Sequence, residues 1–315
     1  MAVLHPFKAW RPVPAKVKEI ACVPYDVVST AEAREKVEGN PHSFLHVVRP
    51  EIDLPEGTPY NDDRVYEKGA ANLRELLRSD LMEQEPEPAI YIYRLTTEDR
   101  SQTGVFSCVS VEDYDSGVIL KHELTRPDKE DDRTRHILEQ SAHAEPVMLA
   151  FDDQVDLSAM MENITANENP IYDFEAEDGI RHSLWKAPEN IRFIDRFAAL
   201  DRLYIADGHH RCKSASRAAE VLRTEDPGHT GKEEYNFFPA VIFPKDQMEI
   251  LPYNRVIHEV PEDVIDQLNR DFDLEEPVDP KPERKGRIAL YYGGRWFGLS
   301  LPLADDPNAV EQLDV

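Results

Sequence analysis

The sequence predicts an α+β protein with a mixed sheet, and three observations predict it. Short apolar or β-branched runs, such as Ala89–Leu95, Gly104–Val111, Leu203–Ala206 and Phe237–Phe243, are interspersed with longer amphipathic stretches. Two of those runs, 89–95 and 104–111, are close enough to pair antiparallel. Near the end, Gly293-Gly294 separates the runs Arg287–Tyr292 and Arg295–Leu301, which is the pattern of a tight hairpin. At 315 residues the chain is one large domain or two smaller ones. We read a core over 1–274 and a C-terminal linker and hairpin over 275–315.

In chain order, Asp26–Ser29 reads as a short β-rich run. Ser29-Thr30 caps a helix from Ala31 to Val37, which Gly39-Asn40-Pro41 ends. Phe44–Val48 reads as a buried strand, and 49–62, rich in Pro, Asp and Glu, as a loop. From Asp63 to Leu81, Val65, Leu73, Leu76, Leu77 and Leu81 keep helical spacing. Glu85-Pro86-Glu87-Pro88 reads as a linker. Within 121–145, the half from Asp128 reads as a helix. Residues 151–200 read as acidic helical turns alternating with short apolar pieces. A helix follows the Leu203–Ala206 strand to about Arg223. Phe237–Phe243 and Glu249–Leu251 read as a hairpin, and 262–270 as a helix.

The 36 basic and 62 acidic residues leave a formal charge of −26, which repels a nucleic-acid backbone. A local basic pocket for a small anion remains compatible with that charge. Cys22, Cys108 and Cys212 form no CxxC or Cys-His pattern, so reduced thiols in a cytoplasmic protein are expected. The opening residues lack the pattern of a signal peptide, and no apolar run reaches the ~18 residues of a membrane span. Neither a nucleic-acid partner nor a membrane is expected, and the oligomeric state is not legible.

The segment that carries chemistry is Asp207-Gly208-His209-His210-Arg211. A short strand, a glycine turn and a helix start present free backbone N–H groups and the positive end of the helix dipole. Asp207 stands at the N-cap position, and Gly208 permits unusual dihedrals and close approach of a ligand. Three cations in the first turn oppose the dipole, which makes sense if an anion lies over them. Arg211 can grip phosphate through two N–H groups at once. The plainer alternative makes Asp207 a cap and the histidines surface residues. A metal site is less suited, because adjacent helical side chains point about 100° apart. Farther along the helix, Cys212, Ala215, Ala219 and Leu222 mark one narrow buried face of small residues. Cys212 at a helix start could be reactive, but that stripe favours burial.

Tyr204–Arg211 resembles the signature of a bacterial and archaeal family known as domain of unknown function 1015. Pro6–Pro12, Pro24–Ser29, Lys121-His122-Glu123 with Thr125, and Leu251–Val256 match it as well. The Asp-Gly-x-His-Arg turn is also similar to that of the ParB/sulfiredoxin-like superfamily, which includes free-serine kinases, CTP-binding ParB proteins and ATP-using sulfiredoxins. That resemblance implies a ParB-like nucleotide-binding core at about 195–260. It also implies that Asp207, Gly208, His209, His210 and Arg211 contact phosphates or their metal, with Asp207 a magnesium ligand. The acidity of this chain departs from a ParB-like role on DNA.

His122-Glu123 follows a strand-like run, Val118–Leu120, where catalytic groups often sit. Glu123 is a candidate general base, with His210 beside it in the catalytic role, and Thr125 and Arg126 candidates for substrate. The plain alternative is a charged loop with Glu123 paired to Lys121 or Arg126. Asp26 would orient substrate or bind Mg²⁺, or it is simply a turn residue. Arg133 and Arg135 read best as helix-surface ion pairs, with Lys129 and Arg133 minor phosphate candidates. Arg255 and His122 complete the substrate-side candidates. No GxSxG elbow, GxGxxG or P-loop occurs. The expectation is a kinase that uses ATP or ADP with Mg²⁺ on a small hydroxylated metabolite such as serine. The alternatives are a nucleotide sensor without turnover and a metal-assisted hydrolase built on Asp207, His209 and His210.

Overall fold

A computed structural model describes residues 1–153, 156–251, 254–282 and 286–301. The chain is mixed α+β and forms two compact units, Met1–Met248 and Glu249–Val315. No helix among the described residues is long and apolar enough to cross a membrane.

In the first unit the strands are β1 (Leu4–His5), β2 (Trp10–Pro12), β3 (Met82–Gln84), β4 (Tyr91–Thr96), β5 (Ser101–Ser110), β6 (Ile119–Leu120), β7 (Val147–Phe151), β8 (Tyr172–Glu175), β9 (Arg181–Lys186), β10 (Leu203–Asp207) and β11 (Phe237–Pro244). Its helices are α1 (Val17–Ile20), α2 (Thr30–Lys36), α3 (Leu45–Val48), α4 (Asp63–Arg78), α5 (Val111–Asp115), α6 (Pro127–Gln140), α7 (Leu157–Asn167), α8 (Asn190–Ala198) and α9 (His209–Glu225). The main sheet runs β6-β10-β7-β11-β5-β4-β9-β8, with β1 added on β5. β4 and β5 pair antiparallel, as expected, while β10 runs parallel to β6 and β11 parallel to β7.

This register decides where the site lies. The C-terminal ends of β6 and β10 and the N-terminal ends of β7 and β11 share one edge of the sheet, since Tyr204 faces Leu120, Asp207 faces Met148 and Ala240 faces Val147. In open α/β sheets the crevice outside the carboxyl ends of parallel strands is the usual place for ligands.

In the largest of three core clusters, Ile92, Val105, Leu149, Phe151 and Ile242 of the sheet meet Leu157 and Met161 of α7, Phe193 and Phe197 of α8, and Cys212, Ala215 and Ala219 of α9; the two smaller clusters gather around α3 and its neighbours. Of the small-residue stripe of α9, Cys212, Ala215 and Ala219 are buried as predicted and Leu222 only half-buried, while burial is wider on the rest of the helix. Ser214, Ser216 and Ala218 are covered too, because α6 packs on the helix and Ser214 donates to the Glu130 carbonyl at 3.1 Å.

Several sequence expectations are corrected. Phe44–Val48 is not a strand. Leu45–Val48 form α3, where Leu45, Val47 and Val48 are all buried, so an apolar run without periodicity signalled burial rather than extension. The β-rich run at 26–29 is a 3₁₀ turn, Tyr25–Val27, ahead of a capping box in which Ser29 and Glu32 exchange hydrogen bonds at the start of α2. The loop at 49–62 contains a 3₁₀ turn, Pro50–Asp53, with buried Glu51. Glu85, read as part of a polar linker, is 6% exposed, held by Arg11 Nε at 2.7 Å and Lys186 Nζ at 2.6 Å. Within 147–200 the strands β7, β8 and β9 escaped notice. β11 pairs with β5 and β7 rather than with Glu249–Leu251, which form no strand.

In the second unit β12 (Leu274–Glu275), β13 (Arg287–Tyr292) and β14 (Arg295–Ser300) form a sheet in the order β12-β14-β13, and α10 spans Val264–Asp271. Gly293 and Gly294 both take positive φ in the β13–β14 turn, as the hairpin reading requires. The compositional linker at 275–286 lies inside this unit; its residues 283–285, the segment 302–315 and the motif positions Pro252 and Tyr253 lie outside the described residues.

Candidate functional site

β10 ends at Asp207, and Gly208, at φ 98° and ψ 31°, turns the chain into α9. Gly208 itself is therefore the N-cap, and Asp207 does not cap the helix. A side chain at 208 would meet Val147 Cγ1 at 3.1 Å and Arg211 Nε at 3.2 Å, so the turn needs glycine for both dihedral and space. No side chain caps α9, which leaves its first N–H groups directed out of the turn.

The three expected cations of the first turn are not three free cations. His209 is 4% exposed; burial lowers its pKa, with a smaller push from His122, so it is neutral near pH 7. Its Nε2 accepts the His122 backbone N–H at 3.4 Å, which leaves the proton on Nδ1, 3.5 Å from Glu123 Oε2. The His122 and His209 rings meet edge to face at 4.4 Å. Arg211 is folded back, bonded to the Asp207 carboxylate four residues behind it and to the Pro146 carbonyl. His210 Nε2 accepts the Arg126 backbone N–H at 3.1 Å.

The fold thus brings Asp207–Arg211 together with His122 and Glu123, because 121–126 leaves the end of β6 beside the end of β10. Glu123 is 58% exposed at its side chain and pairs with His209, neither Lys121 nor Arg126. Lys121 lies over the Tyr114 ring, Thr125 donates to Glu130, and Arg126 pairs with Asp128. Arg255 belongs to the second unit.

On the other side of Arg211 lies a cavity with about 510 Å³ of empty space, counting its open mouth, lined among others by Arg133, His136, His143, Glu145 and Arg211. Arg133 is not the surface residue its helix pattern suggested: it is bonded to Asp132 at 2.7 Å and lies over the Tyr25 ring. Arg135 does make a surface pair, with Asp63 at 2.7 Å. Asp26, exposed, sits close enough to Glu145 to raise that carboxyl, though burial raises it most. Sequence reasoning missed Glu145 and His143, since a lone Glu or His in a charged stretch carries no periodic signal. In the fold they line one cavity with Arg133, His136 and Gln140 of α6.

Cys212 is wholly buried, and burial pushes its thiol up to about 12, so it is no nucleophile at neutral pH. The ring nitrogens of His209 and His210 face different backbone amides. Among the described residues no three His, Cys, Asp or Glu side chains converge on a point where an ion would sit.

A family model described as "Protein of unknown function (DUF1015)" matches residues 4–315. No curated protein and no solved structure matches the chain.

Proposed function

The chain belongs to the DUF1015 family of proteins of unknown function, and from that premise we propose that it is a small-molecule phosphotransferase. In this reading ATP or ADP lays its phosphates on the Asp207–Gly208 turn, and a small hydroxylated metabolite, serine among the candidates, takes the phosphoryl group. The observation that carries it is the uncapped start of α9 behind a left-handed Gly208, at the sheet edge where β6 and β10 end. Backbone N–H groups there suit phosphate oxygens, and phosphoryl transfer asks mainly for positioning and charge neutralisation. The similarity of the turn to ParB/sulfiredoxin-like proteins belongs to the same reading, with a ParB-like core around it.

Glu123 is the group best suited to accept the acceptor's hydroxyl proton, being exposed, with its carboxylate 3.5 Å from His209 Nδ1. His210 would contact phosphate from the first turn. Asp207 would hold Mg²⁺ with phosphate oxygens and water, since magnesium commonly takes only one or two protein carboxylates. The metal, when bound, would supply charge neutralisation. A hydrolase metal centre of Asp207, His209 and His210 is disfavoured by the divergent ring directions.

The test is a thermal titration with ATP, ADP, CTP and AMP, with and without Mg²⁺, on wild type and Arg211→Ala. At a hundredfold excess over Kd a ligand stabilises by about 2.7 kcal/mol, which is roughly 5–10 °C in a chain of this size. A Mg²⁺-dependent shift lost in the variant supports the reading; no shift with any nucleotide ends it. Binding without transfer to any hydroxyl compound would leave a sensor.

A further inference from the structure

We infer that the cavity beside Arg211 binds a small hydroxylated amine, with its ammonium on Glu145 and its hydroxyl on His143. The placing of this amine as phosphoryl acceptor rests on the proposed function above; the binding of an amine does not.

Two guanidiniums line the cavity, and both already have a carboxylate. Arg133 gives Nε and an outer nitrogen to Asp132 at 2.9 and 2.7 Å, and Arg211 is bonded to Asp207 and the Pro146 carbonyl. Glu145 has no such partner. It accepts one hydrogen bond, from the Tyr25 N–H at 3.2 Å, and makes no ion pair among the described residues. Burial raises its carboxyl most; through space Arg211 and Arg133 lower it and Asp26 raises it, yet neither guanidinium bonds to it among the described residues. Each guanidinium is thus bonded to a carboxylate of its own, while half-buried Glu145 has no bonded counter-ion among the described residues, and such a carboxylate favours a cation that can also donate hydrogen bonds.

His143 is the second, independent observation. It lines the same cavity, and neither ring nitrogen makes a hydrogen bond among the described residues. Burial lowers its pKa to about 4, so at neutral pH the ring is neutral, with one donor and one acceptor to offer a hydroxyl. Val147 and Phe238 supply apolar wall for a short carbon skeleton. Arg211 separates this cavity from the Asp207–Gly208 turn, so an amine lodged here would be one guanidinium away from phosphates bound at α9.

The test uses three two-carbon probes on the full chain: ethanolamine, ethylene glycol and glycolate, by thermal shift and calorimetry. Ethanolamine should bind saturably and the other two should not. Glu145→Gln keeps an acceptor for the Tyr25 N–H but loses the charge, and should weaken ethanolamine about tenfold or more. His143→Phe should fill the space and abolish binding. The inference is overturned if ethanolamine does not bind, if it binds Glu145→Gln as well as wild type, or if glycolate binds more tightly. Nucleotide titration of Glu145→Gln, expected to match wild type, separates the two ideas. Nucleotide binding without amine binding removes this inference alone, and the reverse removes only the phosphate reading.

Discussion

Replacing Gly208 by alanine isolates the geometry on which the site depends. At φ 98° an alanine is strained whatever the space around it, and left-handed backbone costs an L-residue about 1–2 kcal/mol. The added Cβ would lie 3.1 Å from Val147 Cγ1, 3.2 Å from Val147 Cβ and 3.2 Å from Arg211 Nε. Arg211 can swing, but Val147 is 2% exposed on β7 inside the sheet and has nowhere to go. Crowding of a packed core of this kind adds roughly 1 kcal/mol or more. The sum, about 2–3 kcal/mol, lowers Tm by roughly 4–12 °C in a unit of this length. Gly117→Ala is the matched control: its φ is 82°, and a Cβ there meets nothing within 4 Å, so it reports strain alone. Calorimetry on both variants separates the two causes. Equal losses for the two would refute the close approach of Val147. A Gly208→Ala protein as stable as wild type would refute the turn itself.

Three further outcomes follow from the same coordinates. Glu85→Ala removes the buried carboxylate that holds Lys186 and half-buried Arg11, while Arg11 keeps Glu83, and should cost about 2 kcal/mol, the order of a hydrogen bond to a charged group; urea denaturation showing under ~1 kcal/mol would contradict this. His136, buried against Tyr66, has its pKa lowered to about 4 from an ordinary 6.5, chiefly by burial. The fold therefore binds fewer protons than the unfolded chain between those values. Its contribution is complete above about pH 6.5 and is lost as pH falls towards 4, and His136→Phe should flatten that limb of the urea-midpoint profile by about 1–2 kcal/mol. Burial pushes the thiols of both Cys22 and Cys212 up to about 12 and raises that of Cys108, so a thiol reagent at pH 8 should label none of them until urea unfolds the chain. Rapid labelling of the native protein would contradict it.

What could be read along the chain was whatever one segment decides by itself. The Ser29 capping box, the 3.6-residue spacing of α4 and α9, the strand pair β4–β5 and the glycine turn of β13–β14 depend on neighbours within a few residues, and each stands in the fold. The Asp207–Arg211 segment was legible for the same reason: a strand, a glycine and a helix start are contiguous. Its electrostatics were not. Counting His209 and Arg211 as free cations failed because burial beneath His122 neutralises one, and Asp207 with the Pro146 carbonyl occupies the other. Whether Phe44–Val48 coils or extends, whether Glu85 meets water, and whether Glu145 and His143 face a cavity depend on what lies opposite them. Those partners come from segments as far off as Arg11, Lys186 and Arg211. Local propensity and capping act over a few residues, but desolvation and pairing act across the packed fold. The sequence alone could therefore place a strand, glycine turn and helix start, and only the tertiary structure could decide which of the charges around them are already paired or neutralised.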